Sequence, residues 1–193
     1  GWSYSNFGYA LLGLILEEAA GQDQWEVIRS RILEPLDLAD TFFDSELRTP
    51  PGLARGYADL YGDGSLTDTS DWDALHPLDA EGGIVSTVYD VHRFLDALFN
   101  GNLLTAPSLA EMLTCVEESP GEVGNTYGLG IANSTIDGKP AYNHTGWVTG
   151  YLSAFCIFPE QQATVVLLIN GSSGAPEAEF IKLVTERLPP LLE

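Results

Sequence analysis

An α/β (α+β) fold, a mainly helical part followed by antiparallel strands and one closing helix, is predicted by three features of the sequence. Over residues of about 1–120 the apolar positions recur at helical spacing. Over about 121–193 they gather into short aromatic and β-branched runs separated by turn signals. The last run, Ala175–Leu188, returns to helical spacing before Pro189-Pro190 stops it. A chain of 193 residues with 45% hydrophobic content is long enough for one substantial core.

The first helix is expected at Ser5–Ala20, from Phe7, Leu11, Leu12, Leu14, Ile15 and Ala19, with Ser3 or Ser5 as cap and Gly21 at the C-terminal turn. Gly8 and Gly13 inside it each cost about 1 kcal/mol of helix propensity, which points to close packing at both. A second helix runs from about Gln24 to Leu33 and ends before Pro35. Residues 44–80 hold no sustained period and read as a functional loop or short unrecognised elements. The Ser86-Thr87-x-x-Asp90 pattern opens a helix carrying Val88, Val91, Phe94, Leu95 and Leu98, and a short helix follows at Pro107–Cys115. Strands are expected at Thr126–Ala132, Ala141–Thr145, Tyr151–Phe158 and Thr164–Ile169, divided by Asp-Gly, Val-Thr-Gly and Pro-Glu.

Charge narrows the partners. Eight Lys+Arg face 28 Asp+Glu, a formal charge of −20, and the lysines are Lys139 and Lys182 alone. A phosphate backbone or an anionic membrane needs cations to neutralise it, so neither is an expected partner. The longest apolar stretch, Tyr9–Leu16, is too short to span a bilayer. Cys115 and Cys156 form no CxxC pair, and His76, His92 and His144 have no metal-ligand spacing, so no metal site and no cofactor are expected. Gly171-Ser172-Ser173-Gly174 has its serine out of register for a nucleophile elbow and reads as a flexible turn. Trp72 and His76 read as ordinary loop packing, and the three Asn-x-Ser/Thr matches as coincidence.

Two short stretches hold chemistry. Tyr4-Ser5-Asn6 stands at the mouth of the first helix, where positive potential favours a phenolate and so lowers the tyrosine pKa, a useful property in a general base. Asn143-His144-Thr145-Gly146-Trp147 closes a strand before a tight turn, and offers a ring donor, a hydroxyl and a glycine that lets another backbone approach.

Around these, Gly1–Ile15 strongly resembles the Tyr-x-Asn region of the serine β-lactamase and penicillin-binding-protein superfamily, in its class C branch with DD-peptidases and β-lactamase-like esterases. Ile32–Leu38, Glu81–Thr87 and Tyr127-Gly128-Leu129-Gly130 are similar to the same family in the same order, and Asn143-His144-Thr145-Gly146 falls where it places Lys-Thr-Gly or His-x-Gly. The resemblance implies a β-lactamase/transpeptidase-like fold and an acyl-enzyme reaction on a small-molecule ester, amide or β-lactam. It implies that Tyr4 is the general base and that Asn6 binds substrate and positions the lysine of the nucleophile motif. His144 would tune the local electrostatics, Thr145 and Gly146 would line the substrate, and the Trp147 N–H would be one oxyanion donor.

The family's nucleophile motif, Ser-x-x-Lys, does not occur in these 193 residues: Glu179 precedes Lys182 by three and Ile136 precedes Lys139 by three. The chain therefore reads as a partial domain, incomplete at its N-terminal side, with an uncovered sheet edge and an uncovered apolar helix face. Three readings stay open. The chain is the C-terminal portion of a serine hydrolase, a non-catalytic ligand-binding relative, or one chain of a two-chain enzyme whose serine lies on a separate segment.

Overall fold

The computed structural model describes residues 3–43, 52–72, 80–101, 103–117 and 126–172. The helix expected at Ala175–Leu188, together with His76, Ser173 and Gly174, lies outside the described residues. In chain order the elements are α1 (Asn6–Ala20), α2 (Gln24–Ile28), a π-helical turn (Arg29–Leu33), β1 (Phe42–Phe43), β2 (Tyr57–Ala58), β3 (Thr67–Asp68), β4 (Ile84–Val85), α3 (Val88–Phe99), α4 (Ala106–Met112), β5 (Val116–Glu117), β6 (Thr126–Tyr127), β7 (Ala132–Ile136), β8 (Lys139–Val148), β9 (Tyr151–Phe158), β10 (Ala163–Ile169) and β11 (Gly171–Ser172). The fold is the expected mixture of helices and mainly antiparallel sheet. It divides into two compact units, one of Tyr4–Leu53 with Asp71–Leu104, the other of Gly1–Ser3, Ala54–Ser70 and Thr105–Glu193.

The first unit holds α1, α2, α3 and the β1–β4 pair, in which Phe42 faces Val85 and Phe43 faces Ile84. Ser5 caps α1, its Oγ accepting the Gly8 N–H at 3.2 Å, and Gly21 closes it at φ +67° with its N–H on the Glu17 carbonyl. Close packing holds for Gly13, where a Cβ would run into Gln24 and Ala80, but not for Gly8, whose Cβ would meet only Ser5 at ordinary contact distance. Along α1 the apolar side chains Phe7, 67% exposed, and Ile15, 61% exposed, with Leu11, Leu12 and Leu14 between them, face outward. The second helix reaches Leu33 through the π turn, where the Glu34 N–H bonds the Arg29 carbonyl just before Pro35, which has no N–H to give. In α3 the cap is Thr87, accepting the Asp90 N–H at 3.2 Å. Asp90 does not return the bond as a capping box would. Its buried carboxylate accepts the Asp40 N–H at 3.0 Å and the Thr41 hydroxyl at 2.9 Å, tying α3 to the approach to β1.

The second unit is built on a six-stranded antiparallel sheet in the order β10-β9-β8-β7-β6-β5. Ala141, Ala154, Cys156 and Phe158 form the buried heart of one face, with Ile136, Ala163, Val165 and Leu167 packed around them. The turns carry the residues that the geometry demands. Asp137 and Gly138, at φ +48° and +74°, connect Ile136 to its partner Lys139 in the two-residue hairpin that Asp-Gly favours. The strand expected over Thr126–Ala132 is split into β6 and β7, because Gly128–Ile131 folds back: the Gly128 N–H bonds the Ile131 carbonyl at 2.8 Å and Gly130 takes φ +76°. Within residues 44–80 short elements emerge, β2 pairing with β3 and, in parallel, with β11. Gly171-Ser172 is thus a strand and no flexible turn, and Ser172 is buried.

Candidate functional site

The sequence-predicted residues fall in two places, one in each unit. At the first, Ser5 is in extended conformation as the N-cap, which leaves Tyr4 just ahead of α1 and Asn6 as its first residue. Tyr4 is 47% exposed and its ring stands 6.2 Å from that of Tyr9, centroid to centroid. The expected lowering of the phenol pKa is not found. Burial of the ring and, next, the neighbouring Tyr9 hydroxyl push it above the usual tyrosine value. Asn6 is exposed.

At the second place, β8 carries Asn143, His144, Thr145, Gly146 and Trp147 in succession. On one side β9 pairs along the whole stretch, from Asn143 opposite Cys156 to Val148 opposite Tyr151. On the other side β7 pairs only as far as Asn143, which faces Ala132 and donates its Nδ2–H to Ser134 Oγ at 2.6 Å. From His144 to Val148, no strand among the described residues pairs with this second edge. Every second N–H and carbonyl of an antiparallel strand turns away from its one partner, so this half of β8 offers backbone hydrogen bonds to an extended ligand. Gly146 keeps the strand thin, since a Cβ there would strike Ser153 Oγ, and Trp147 beyond it is 65% exposed.

His144 is held at both ring nitrogens. Nδ1 lies 2.8 Å from the Thr145 carbonyl oxygen and Nε2 lies 2.8 Å from the hydroxyl of Tyr127. Tyr127 was legible only as part of Tyr-Gly-Leu-Gly, with nothing to assign it a partner.

The hairpin that presents these residues is fixed at its tip by side chains with no signal in the sequence. The Gly150 N–H bonds Ser172 Oγ at 3.0 Å, the Thr69 hydroxyl bonds the Thr149 carbonyl at 3.2 Å, and the Tyr151 hydroxyl bonds the Ala54 carbonyl at 2.9 Å. Gly56 has no room for a Cβ because the Tyr151 ring lies over it. Below, Asp68 accepts from the Ser70 hydroxyl at 2.6 Å and from Arg55 Nε at 2.5 Å, which holds its carboxyl down at about 2. Trp72, read as loop packing, is half exposed. Among the described residues no three His, Cys, Asp or Glu side chains converge as a metal-binding group, and no helix is long and apolar enough to cross a membrane.

The beta-lactamase family pattern matches residues 1–185. Penicillin-binding protein 4* of Bacillus subtilis is 27% identical over 199 aligned positions, which take in 97% of this chain and 44% of that protein. Penicillin-binding protein 4 of Amycolatopsis lactamdurans is 31% identical, over 96% of this chain and 51% of its own length. Among solved structures, a D-amino acid amidase from Ochrobactrum anthropi SV3, complexed with L-phenylalanine amide, superposes with a TM-score of 0.84 at 31% identity, over all of this chain and 57% of that one. The chain thus spans about half the length of the curated relatives it matches.

Proposed function

The chain belongs to the beta-lactamase family, and from that membership we propose that it is the C-terminal portion of a serine hydrolase that opens an amide, ester or β-lactam bond through an acyl-enzyme. On this reading 1–193 is a partial domain, mainly helical to about residue 120 and then strands with a closing helix, and the nucleophile sits in a Ser-x-x-Lys outside these residues. The observation that carries the reading is the half-open β8: an extended acyl group can lie along His144–Trp147 as an added strand, its carbonyl against the Trp147 N–H. The likeness to penicillin-binding proteins and to a D-amino acid amidase supports the substrate class.

The chemistry divides as follows. The serine Oγ attacks the carbonyl carbon, its proton leaves to a base, and the oxyanion is met by the N–H of Trp147 and that of the serine. Collapse expels the leaving group, which takes a proton from the Tyr4 hydroxyl, and Tyr4 is reprotonated by the base that took the serine proton. Water then adds to the acyl carbon, its proton passing through that base to the serine oxygen as the acid leaves, and serine, base and Tyr4 are restored. A phenol shifted upward is protonated at neutral pH, which suits Tyr4 as donor to the leaving group. It becomes a base only beside a cation, the part that falls to the lysine of the absent motif. Asn6 hydrogen-bonds the substrate amide.

One observation favours the second reading, a ligand-binding relative without catalysis: the upward shift of Tyr4 is the reverse of what a poised base requires. Intact-mass measurement after treatment with a fluorophosphonate decides. The hydrolase reading expects one adduct on the protein translated from the full reading frame and none on the 193-residue chain. No adduct on either leaves the binding relative, and an adduct on any serine of this chain overturns the placement of the nucleophile.

A further inference from the structure

The hydrogen bonds of His144 define the state of its ring. The Thr145 carbonyl oxygen, 2.8 Å from Nδ1, can only accept, so Nδ1 carries the hydrogen. In the neutral imidazole Nε2 is then a lone pair, and the Tyr127 hydroxyl, 2.8 Å away, must donate to it. The rings meet edge to face, centroids 5.8 Å apart and planes at 66°, which brings the phenol oxygen toward the imidazole edge.

Tyr127 is itself immobilised on both sides. It is 5% exposed, and its backbone pairs with Val116 of β5 and Ala132 of β7. Immediately after it Gly128 turns beneath the Met112 carbonyl, which accepts the Leu129 N–H at 2.9 Å and leaves no space for a Cβ at 128. A buried phenol so fixed gives one defined donor direction at little entropic cost.

We propose that Tyr127 is a positioning residue for His144: it holds the imidazole in the Nδ1–H tautomer with both nitrogens engaged, so that the ring shapes the open edge of β8 and shuttles no proton. The proposal rests on reading that edge as the substrate strand, and gives a use to the Tyr-Gly pair at 127–128. Proton transfer is left to Tyr4, and the Thr145 carbonyl is turned toward the His144 ring.

Long-range proton–nitrogen correlation spectra of the ¹⁵N-labelled 193-residue chain test this without any substrate, so an inactive protein does not bear on the outcome. With its ring neutral the wild type should show Nδ1 as the protonated nitrogen, and a slowly exchanging Tyr127 hydroxyl proton correlated with Nε2. Tyr127→Phe should abolish that correlation and move the Nε2 resonance to the position of an unbonded ring nitrogen. A wild-type ring protonated on Nε2, or one averaging between tautomers, overturns the proposal before any variant is made. So does a folded Tyr127→Phe protein whose Nε2 resonance is unmoved.

Discussion

Replacing Gly150 by alanine tests how the presenting hairpin is held. Gly150 sits at φ +90°, which a side chain adopts only with strain of about 1–2 kcal/mol. A Cβ there would also collide with Thr69 Oγ1 and lie 3.2 Å from both Gly56 C and Tyr57 N, backbone atoms that cannot swing aside. Overpacking of this kind costs roughly 1–3 kcal/mol. Moving Thr69 to relieve it breaks the bond to the Thr149 carbonyl, about 1 kcal/mol more. The sum is roughly 3–6 kcal/mol. Gly138 supplies the control, because it too has positive φ, +74°, in a hairpin turn of the same sheet, yet nothing lies within 4 Å of its Cβ position. Gly138→Ala should therefore cost only about 1 kcal/mol, partly offset by the lost freedom of the unfolded chain. Urea unfolding followed by circular dichroism reads the difference. With a slope of about 2 kcal/mol per molar, the midpoint falls by about 1.5–3 M for Gly150→Ala and by about 0.5 M or less for Gly138→Ala. Equal midpoints for the two variants would show that the turn is not clamped by Thr69, Gly56 and Ser172, and the argument for a rigid β8 edge would go with it.

Other outcomes follow from single groups. On the proposed hydrolase reading, Tyr4→Phe in the protein translated from the full reading frame should lower acyl transfer by roughly 10²–10⁴-fold while circular dichroism is unchanged; hydrolysis of a p-nitrophenyl ester at near-normal rate removes Tyr4 from the mechanism. Asp68, held at about 2 against an ordinary 3.8, contributes stability in full above pH 3.8 that is lost as pH falls through about 2. Asp68→Asn should accordingly be the less stable protein at pH 5 and match the wild type below pH 2, and a gap that persists at pH 1.5 refutes the ionic origin. Burial pushes the Cys156 thiol up to about 12, so iodoacetamide at pH 8 should label Cys115 first and reach Cys156 only on unfolding; comparable rates by peptide mapping contradict the buried placement.

What was legible in the sequence is what is local. Gly21, Thr87 and Asp137-Gly138 announce a helix end, a helix start and a hairpin because each acts on backbone within four residues. The His-Thr-Gly stretch was found for the same reason, as a strand end before a tight turn. Pairing across long separations left no trace: β11 is two residues long, too short for any period, and its partner Tyr57-Ala58 is as short. The tie between Tyr127 and His144 crosses a strand and depends on side-chain direction, which spacing does not encode. Tyr4 went the other way. Its place beside a helix terminus was read correctly, but the sign of its pKa shift depends on how much water the fold removes, a quantity absent from the sequence.

The anchoring of the Thr149–Gly150 turn has a consequence for the order of events during synthesis. The segment that holds the hairpin from below, Ala54–Ser70, leaves the ribosome long before the hairpin exists: the Thr69 bond closes over 80 residues of chain and the Asn170 bond to the Arg55 carbonyl over 115. Until Gly171 and Ser172 are made, β2 has β3 on one side and nothing of β11 on the other. Contacts this distant in sequence form slowly and late, after the local helices and the Asp137-Gly138 hairpin. The His144–Trp147 edge therefore takes its final geometry only once residue 172 has been translated, and a ribosome that stalls before it releases a hairpin whose turn is still unclamped.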